Sequence, residues 1–324
     1  MAKVLITTDI FPAAADRLRA AGHAVEVLAD GPLPSSRLRG RLADADALIC
    51  LLSDRVDAEL LAAAPRLRVV ANLAVGVDNI DLAAATRHGV RVANTPGVLT
   101  ETTADLAWAL LMAAARRIVE ADRDLRAHGF PGWTLIPPHL GVDIYGNTLG
   151  VVGLGRIGSA VARRARGFSM RIVYHSRTRK PQAERELAAT YASLPELLPA
   201  SDFVVLCLPL TPATRHLIGA AELSLMKPDA VLVNVGRGPV VDEEALAAAL
   251  RGGTIRAAAL DVFEREPGVH PDLLKLDNVV LTPHIGSATV ATRQRMAELA
   301  VEAVLAVLSG REPQHLANPE VCSP

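Results

Sequence analysis

The sequence predicts an α/β protein built from two doubly wound, parallel-sheet domains. Three observations lead there. Its 324 residues exceed the size of a typical single domain. Short apolar segments alternate with amphipathic ones along the whole chain. A glycine-rich turn also sits between an apolar strand and a helix, the junction at which open sheets bind ligands.

The first series runs KVLITT, a helical AADRLRAAG, AVEVLA, SSRLRGRLADA and ALICLL, then continues through LRVVANL and RVANT. That makes about five strands, closing at Pro96 and Gly97, a plausible hinge. A long Ala-rich helix is expected from about Thr100 to Ala127, with Thr102 and Asp105 at capping-box spacing near its start. Six further strands follow: NTLGVV, RIVYHS, DFVVLCLPL, AVLVNVGRG, IRAAALDVF and NVVLTPHIG. A last helix, about Thr289 to Ser309, lies beyond them and is expected to return to the first domain. The resulting division is a discontinuous domain of residues 1–99 and 288–324 with a second domain, 100–287, inserted in it.

Hydrophobic residues make up 50% of the chain and aromatics only 3%, so the core must be built from Ala, Val and Leu. Lys and Arg number 34 against 35 Asp and Glu, which leaves no global field to attract nucleic acid or an anionic membrane. Small molecules are therefore the expected partners. Cys50, Cys207 and Cys322 have no metal-ligand or CxxC spacing and read as inert thiols, and no metal site is expected. The start, MAKVLITTDI, lacks the pattern of a secretion signal, and the apolar run Trp108 to Ala115 is too short to span a bilayer. The expected location is cytoplasmic.

Gly153, Gly155 and Gly158 form GxGxxG directly after the LGVV strand and open the helix SAVARRARGF. In that context the first glycine permits a tight turn, the second lets backbone approach a pyrophosphate, and the third allows close helix packing. A glycine-rich turn with no ligand is the alternative. A dinucleotide site that prefers NAD has an acidic residue about 20 positions on, to bind the ribose hydroxyls. Here the next strand runs instead into Ser176, Arg177, Thr178, Arg179 and Lys180. A hydroxyl and cations in place of a carboxylate favour NADP(H), with NAD(H) possible, because guanidinium groups bind phosphate strongly; a solvated basic loop is the bland alternative.

Three residue types suited to reducing a keto acid follow, each at or just past the end of an expected strand. Arg237, between Gly236 and Gly238, offers a planar fork that would hold a substrate carboxylate and polarise its carbonyl. His284, in LTPHIGS, would protonate the alkoxide left by hydride addition. Glu266, in DVFEREP, would accept the other NH of that imidazole and stabilise its positive charge. Asp261 would either bind the nicotinamide amide or cap the next turn. In the first series, Val75, Gly76 and Asp78 lie in LAVGVDNID, where backbone NH groups would grip a carboxylate or simply make a tight turn.

With these residues in place, the sequence resembles the D-isomer-specific 2-hydroxyacid dehydrogenases over essentially its whole length. VGVDNID, NTPGVLTETTADLA, GxGxxG, NVGRGPVVDEEAL, LDVFEREP and TPHIGSAT occur in the family's order. The resemblance implies a flavodoxin-like substrate domain, an inserted Rossmann coenzyme domain, a homodimer built largely through the coenzyme domains, and catalysis by Arg237, Glu266 and His284. LLSDRVD, GLGRIG, YHSRTRK and PHIGSAT are most similar to glyoxylate and hydroxypyruvate reductases, which make glycolate and D-glycerate.

On the cofactor side the resemblance implies Gly153, Gly155, Arg156, Ile157, Gly158, Ser176, Arg177, Thr178, Lys180, Leu208, Pro209, Thr214, Val235, Gly236, Asp261, Gly286 and Thr103. For the substrate it implies Val75, Gly76 and Arg237, with Ser53 or Ser287 nearby. Formate dehydrogenases of similar sequence carry Gln where this chain has Glu266, so the His–Glu pair favours hydroxyacid chemistry. Another 2-hydroxyacid substrate, such as D-lactate or 3-phosphoglycerate, phosphite, or a dinucleotide-sensing corepressor role, is the alternative. The segment Trp133 to Tyr145 matches the family little beyond Gly132 and Trp133, which leaves cross-subunit contacts open.

Overall fold

The computed structural model describes residues 1–28 and 35–322; the end of the expected AVEVLA strand, Ala29, falls outside them. In chain order the elements begin β1 (Lys3–Ile6), α1 (Pro12–Ala20), β2 (Ala24–Val27), α2 (Ser35–Leu42), β3 (Ala47–Cys50), α3 (Ala58–Ala62), β4 (Val69–Asn72), α4 (Leu82–Arg87) and β5 (Arg91–Ala93). They continue with α5 (Thr100–Ala115), α6 (Ile118–His128), β6 (Thr148–Val152), α7 (Arg156–Ala165), β7 (Arg171–His175), α8 (Pro181–Leu187), β8 (Ala189–Tyr191), α9 (Leu194–Ala200) and β9 (Phe203–Leu206). The last are α10 (Ala220–Leu225), β10 (Val231–Asn234), α11 (Glu243–Arg251), β11 (Ala257–Leu260), β12 (Val279–Leu281) and α12 (Val290–Leu308). Contacts divide the chain into two compact units, residues 1–99 with 288–324, and residues 100–287.

The first unit holds a five-stranded sheet in the order β2-β1-β3-β4-β5, every pairing parallel. Its central strands, ALIC and VVAN, are buried at every position, because helices cover both faces. On one face α12 lies over β3, β4 and α1, with Ala297, Ala300, Val301 and Val304 against Ile49, Val69 and Leu18. On the other, Leu38, Leu42, Leu60 and Leu61 pack on Leu48 and Val70. Asp57 and Asp81 fix the starts of α3 and α4 by accepting from the amides of Leu60 and Ala84.

The second unit holds a seven-stranded parallel sheet in the order β12-β11-β10-β9-β6-β7-β8. The order reverses between β6 and β9, so a crevice opens beyond the carboxyl ends of those strands. The sheet has one strand more than the six expected. The extra one, β8, is a three-residue edge strand, ATY, too short and too polar to stand out by period.

The single helix expected from Thr100 to Ala127 is two helices. Arg117 stands between them at φ 52°, in the left-handed region, and starts a new axis for α6. Thr102 lies inside α5 rather than at its cap, and Asp105 pairs with Arg164 at 2.6 Å instead of closing a capping box. Aromatic packing is sparse but specific: Trp108 stacks on Phe168 at 4.6 Å and donates its indole NH to the Val161 carbonyl. Among the described residues no helix is long and apolar enough to cross a membrane, and no cluster of His, Cys, Asp and Glu is arranged to hold a metal. Burial pushes the Cys207 thiol up to about 12 and that of Cys50 well above its ordinary value, so both are inert.

Candidate active site

The glycine turn lies between β6 and α7. Gly153 has φ 99°, and a Cβ there would lie 2.8 Å from the Cys207 carbonyl oxygen. Gly158 admits no side chain either, since a Cβ would meet the Gly153 oxygen at 2.1 Å. Gly155 differs: nothing lies within 4 Å of its missing Cβ, and it forms the cap of α7 without a side-chain hydrogen bond. An exposed glycine face at a ten-residue helix start, with the first-turn amides left to an outside acceptor, is the cradle a pyrophosphate fits. Arg156 is exposed beside it and Ile157 half-buried.

Ser176 directly follows β7 but is buried, and its hydroxyl accepts the Leu154 amide at 2.9 Å, tying the glycine turn to the end of the neighbouring strand. Arg177, Thr178 and Lys180 are exposed beyond it. Arg179 is occupied otherwise, paired with Glu184 at 2.8 Å and placed over the Tyr191 ring. Across the crevice, Leu208 and Pro209 follow β9, and a Cβ on Gly236 would lie 2.7 Å from the Leu208 carbonyl oxygen. The Thr214 hydroxyl closes its own loop on the Pro209 carbonyl at 2.8 Å. Val235 is buried beside Gly236.

Arg237 follows β10 in a turn shaped by Asn234. The Asn234 amide group accepts from Gly236 N and donates to the Arg237 carbonyl, each at 3.0 Å. Arg237 Nη1 donates to the Gly236 carbonyl at 3.0 Å. The next residue has to be glycine: a Cβ on Gly238 would sit 1.9 Å from the Phe263 carbonyl group. Asn234 had no visible role in the sequence, and only its place at the end of an apolar strand could have marked it.

The opposite wall comes from β11 and β12. Asp261 is 2% exposed, and its carboxylate accepts from the Thr282 hydroxyl (2.7 Å) and the amides of Ile285 and Gly286 (each 2.8 Å). Its carbonyl accepts from the His284 amide at 2.8 Å. These bonds hold His284 at φ 52°, a left-handed conformation that needs surrounding structure to fix it. Burial raises the Asp261 carboxyl above its ordinary value, against the pull of these donors. Thr103, buried in α5, donates to the Gly286 carbonyl at 3.2 Å, and Ser287 follows half-buried.

His284 Nδ1 lies 2.8 Å from Glu266 Oε2, and Glu266 Oε1 accepts the Phe263 amide at 3.0 Å. A carboxylate only accepts, so Nδ1 carries the hydrogen and Nε2 is the ring atom left for a substrate. Burial would raise the Glu266 carboxyl. The hydrogen bond and charge of His284, the Phe263 amide and the charge of Arg237 together outweigh it and hold the group below its usual range. Arg237 and His284, far apart in sequence, are thus each brought within electrostatic reach of Glu266.

In the first unit, Val75 and Gly76 follow β4. Asn94 donates to the Val75 carbonyl at 2.7 Å and Asn72 to the Gly76 carbonyl at 2.8 Å, so both carbonyls are tied back into the unit. Ser53 is exposed after β3, and Asp78 is exposed in the same turn as Gly76. The asparagines that set this turn were not singled out in the sequence.

Residues 108–286 match the family described as D-isomer specific 2-hydroxyacid dehydrogenase, NAD binding domain. The chain is 52% identical over 324 residues to a glyoxylate reductase of Thermococcus onnurineus, covering 98% of this chain and 96% of the relative. A glyoxylate reductase of Aeropyrum pernix is 52% identical over 326 residues, with 98% and 96% covered. Among solved structures, a Thermus thermophilus protein aligns with TM-score 0.92 and 49% identity, covering 97% of this chain and 99% of its own. An NADPH-dependent glyoxylate/hydroxypyruvate reductase of Sinorhizobium meliloti, in complex with NADP and malonate, aligns with TM-score 0.87 and 36% identity, covering 99% and 97%. The chain belongs to the D-isomer-specific 2-hydroxyacid dehydrogenase family. It is an oxidoreductase that works with a nicotinamide dinucleotide on small keto acids.

Proposed function

We propose that the chain reduces glyoxylate and hydroxypyruvate, to glycolate and D-glycerate, with NADPH as the preferred donor. The observation that carries this reading is the 2.8 Å His284–Glu266 pair, with the Arg237 charge acting on Glu266, beyond the carboxyl ends of the same parallel strands that carry the glycine turn. When bound, the dinucleotide supplies the hydride. Arg237 holds the acid's carboxylate and draws electron density from the adjoining carbonyl. His284 delivers the Nε2 proton to the developing alkoxide, and Glu266 stabilises the imidazolium before that transfer and keeps the ring oriented. In the first unit, Val75, Gly76 and Ser53 are proposed substrate-binding residues; Ser287 is another in the second.

The cofactor preference rests on the missing acidic residue after β7 and on exposed Arg177 and Lys180, which leave a 2′-phosphate with cations and no repulsion. Ser176 and Thr178 flank them, and Gly153, Gly155, Arg156, Ile157, Gly158, Leu208, Pro209, Thr214, Val235, Gly236, Asp261, Gly286 and Thr103 complete the proposed cofactor-side set. A homodimer is proposed as well. The stretch 130–145 exposes Phe130, Trp133, Leu135, Ile136, Leu140 and Tyr145, with Trp133 81% exposed, more apolar surface than an isolated chain usually leaves to water. Sedimentation should give twice the 34.2 kDa of one chain.

The deciding experiment measures kcat/KM for glyoxylate, hydroxypyruvate, pyruvate, 3-phosphohydroxypyruvate and, in the oxidative direction, phosphite, with each coenzyme. Higher values for glyoxylate and hydroxypyruvate with NADPH are expected. Equal or better turnover with NADH would remove the cofactor preference, and pyruvate, 3-phosphohydroxypyruvate or phosphite leading the series would remove the substrate assignment.

A further inference from the structure

We infer that Glu243 is a positioning residue for the catalytic set, holding the Phe263–Glu264 turn whose backbone binds Glu266, the partner of His284, and packs against the glycine that follows Arg237. The inference rests on the proposed roles of those three residues. Glu243 is the first residue of α11, yet it is only 4% exposed, an unusual place for a carboxylate at a helix start. Asp242, one residue earlier, already caps that helix by accepting from the Ala245 amide at 3.0 Å. The Glu243 side chain is therefore not needed as the cap and turns elsewhere.

Its Oε1 accepts the Glu264 amide at 2.8 Å. That amide belongs to the Phe263–Glu264 peptide, against which Gly238 packs, and the peptide before it, Val262–Phe263, carries the amide that binds Glu266. The preceding amide, of Phe263, donates to Glu266 Oε1, and Glu266 Oε2 holds His284 Nδ1. The Phe263–Glu264 peptide lies so close to Gly238 that a Cβ there would be 1.9 Å from the Phe263 carbonyl group and 2.5 Å from Glu264 N. Gly238 is joined to Arg237. Two consecutive amides thus face two carboxylates, Glu266 for chemistry and Glu243 for anchorage, with the arginine turn resting against the peptide between them.

The groups around Glu243 fit anchorage. Burial raises its carboxyl above the usual value, and the Glu264 charge adds to this, whereas the Glu264 amide and the amide and ring of His270 pull it down. The Glu264 side chain is itself paired with His216, whose Nε2 lies 2.9 Å from Glu264 Oε1. The donors to the Glu243 carboxylate are backbone amides, of Glu264 and of His270. A buried acid satisfied by loop amides fixes loop geometry, because moving the loop would strand the carboxylate.

The test uses the full chain with Glu243→Gln and Glu243→Ala, reading amide hydrogen exchange at Phe263 and Glu264 beside steady-state kinetics. Glu243→Ala should speed exchange at both amides and lower kcat about tenfold or more, with KM for the dinucleotide unchanged, since the glycine turn is not tied to Glu243. Glu243→Gln keeps an acceptor for Glu264 N and should restore most of kcat, which general destabilisation would not reproduce; it also carries the test if the alanine variant does not fold. Unchanged exchange at Phe263 and Glu264, or faster exchange with kcat intact, would overturn the inference. If the wild-type chain turned over no keto acid, the proposed function would fail, while faster exchange at Phe263 would still report whether Glu243 holds the amide that binds Glu266.

Discussion

His284 Nδ1 and Glu266 Oε2 lie 2.8 Å apart, although 18 residues and the whole of β12 separate them in the chain. The pairing orients the imidazole and leaves Nε2 as its reactive edge. Replacing His284 with Ala removes the proposed proton donor and leaves the glycine turn untouched. Turnover should fall by about 10²–10⁴-fold, while the dinucleotide dissociation constant, followed by nicotinamide fluorescence, stays near the wild-type value. Near-normal kcat in that variant would dismiss His284 as the acid.

Glu266 makes the pH dependence specific. Its folded carboxyl is held below the usual range, because the donors around it outweigh burial. A depressed folded pKa contributes stability that is present above the unfolded value, about 4.3, and is lost as pH falls through the folded value. The melting-temperature gap between wild type and Glu266→Gln should therefore be widest near neutrality and narrow below about pH 4. A gap independent of pH would mean that the carboxylate's charge does not stabilise the fold.

The glycine turn separates a folding requirement from a binding one. Gly158→Ala would drive a Cβ into the Gly153 oxygen, a backbone atom that cannot yield cheaply, and should lower stability by about 1–3 kcal/mol or more. Gly155→Ala meets no protein atom, so it should melt near wild type yet bind dinucleotide more weakly, the methyl occupying the pyrophosphate's approach. Thermal melts and dinucleotide titrations of the two variants check both halves of this contrast.

Arg177 and Arg179 are adjacent in type but not in availability. Arg179 is committed to Glu184, whereas Arg177 is exposed at the end of β7. Arg177→Ala should raise KM for NADPH roughly tenfold, one charge-assisted phosphate contact being lost, and change KM for NADH little. The same substitution at Arg179 should affect both coenzymes weakly. An equal loss for NADPH and NADH at Arg177 would remove it as a phosphate ligand.

The sheets were legible because a parallel strand covered on both faces is an almost unbroken apolar run, as ALIC and FVVL are throughout and VVAN and VLVN are up to their final asparagines. Their edges were not. ATY carries too little apolar signal to be read as a strand, and nothing in AARRIVE announces that Arg117 turns left-handed and splits a helix. Arg237, Glu266 and His284 stood out because each lies at or just past the end of an apolar strand, Arg237 between two glycines. Ser176 was legible in position but not in environment: read as part of a basic loop, it is 8% exposed and fastened to Leu154.

What the sequence determined by itself was local and periodic: which segments are strands, where the glycine turn falls, and which side chains have chemistry to offer. Periodicity and residue type are written along the chain, so one dimension suffices for them. What the tertiary structure decided was pairing. Asp261 fixing the His284 turn and Glu243 grasping the Glu264 amide both join residues that folding alone brings together, and a hydrogen bond of 3 Å or less leaves no trace in sequence spacing.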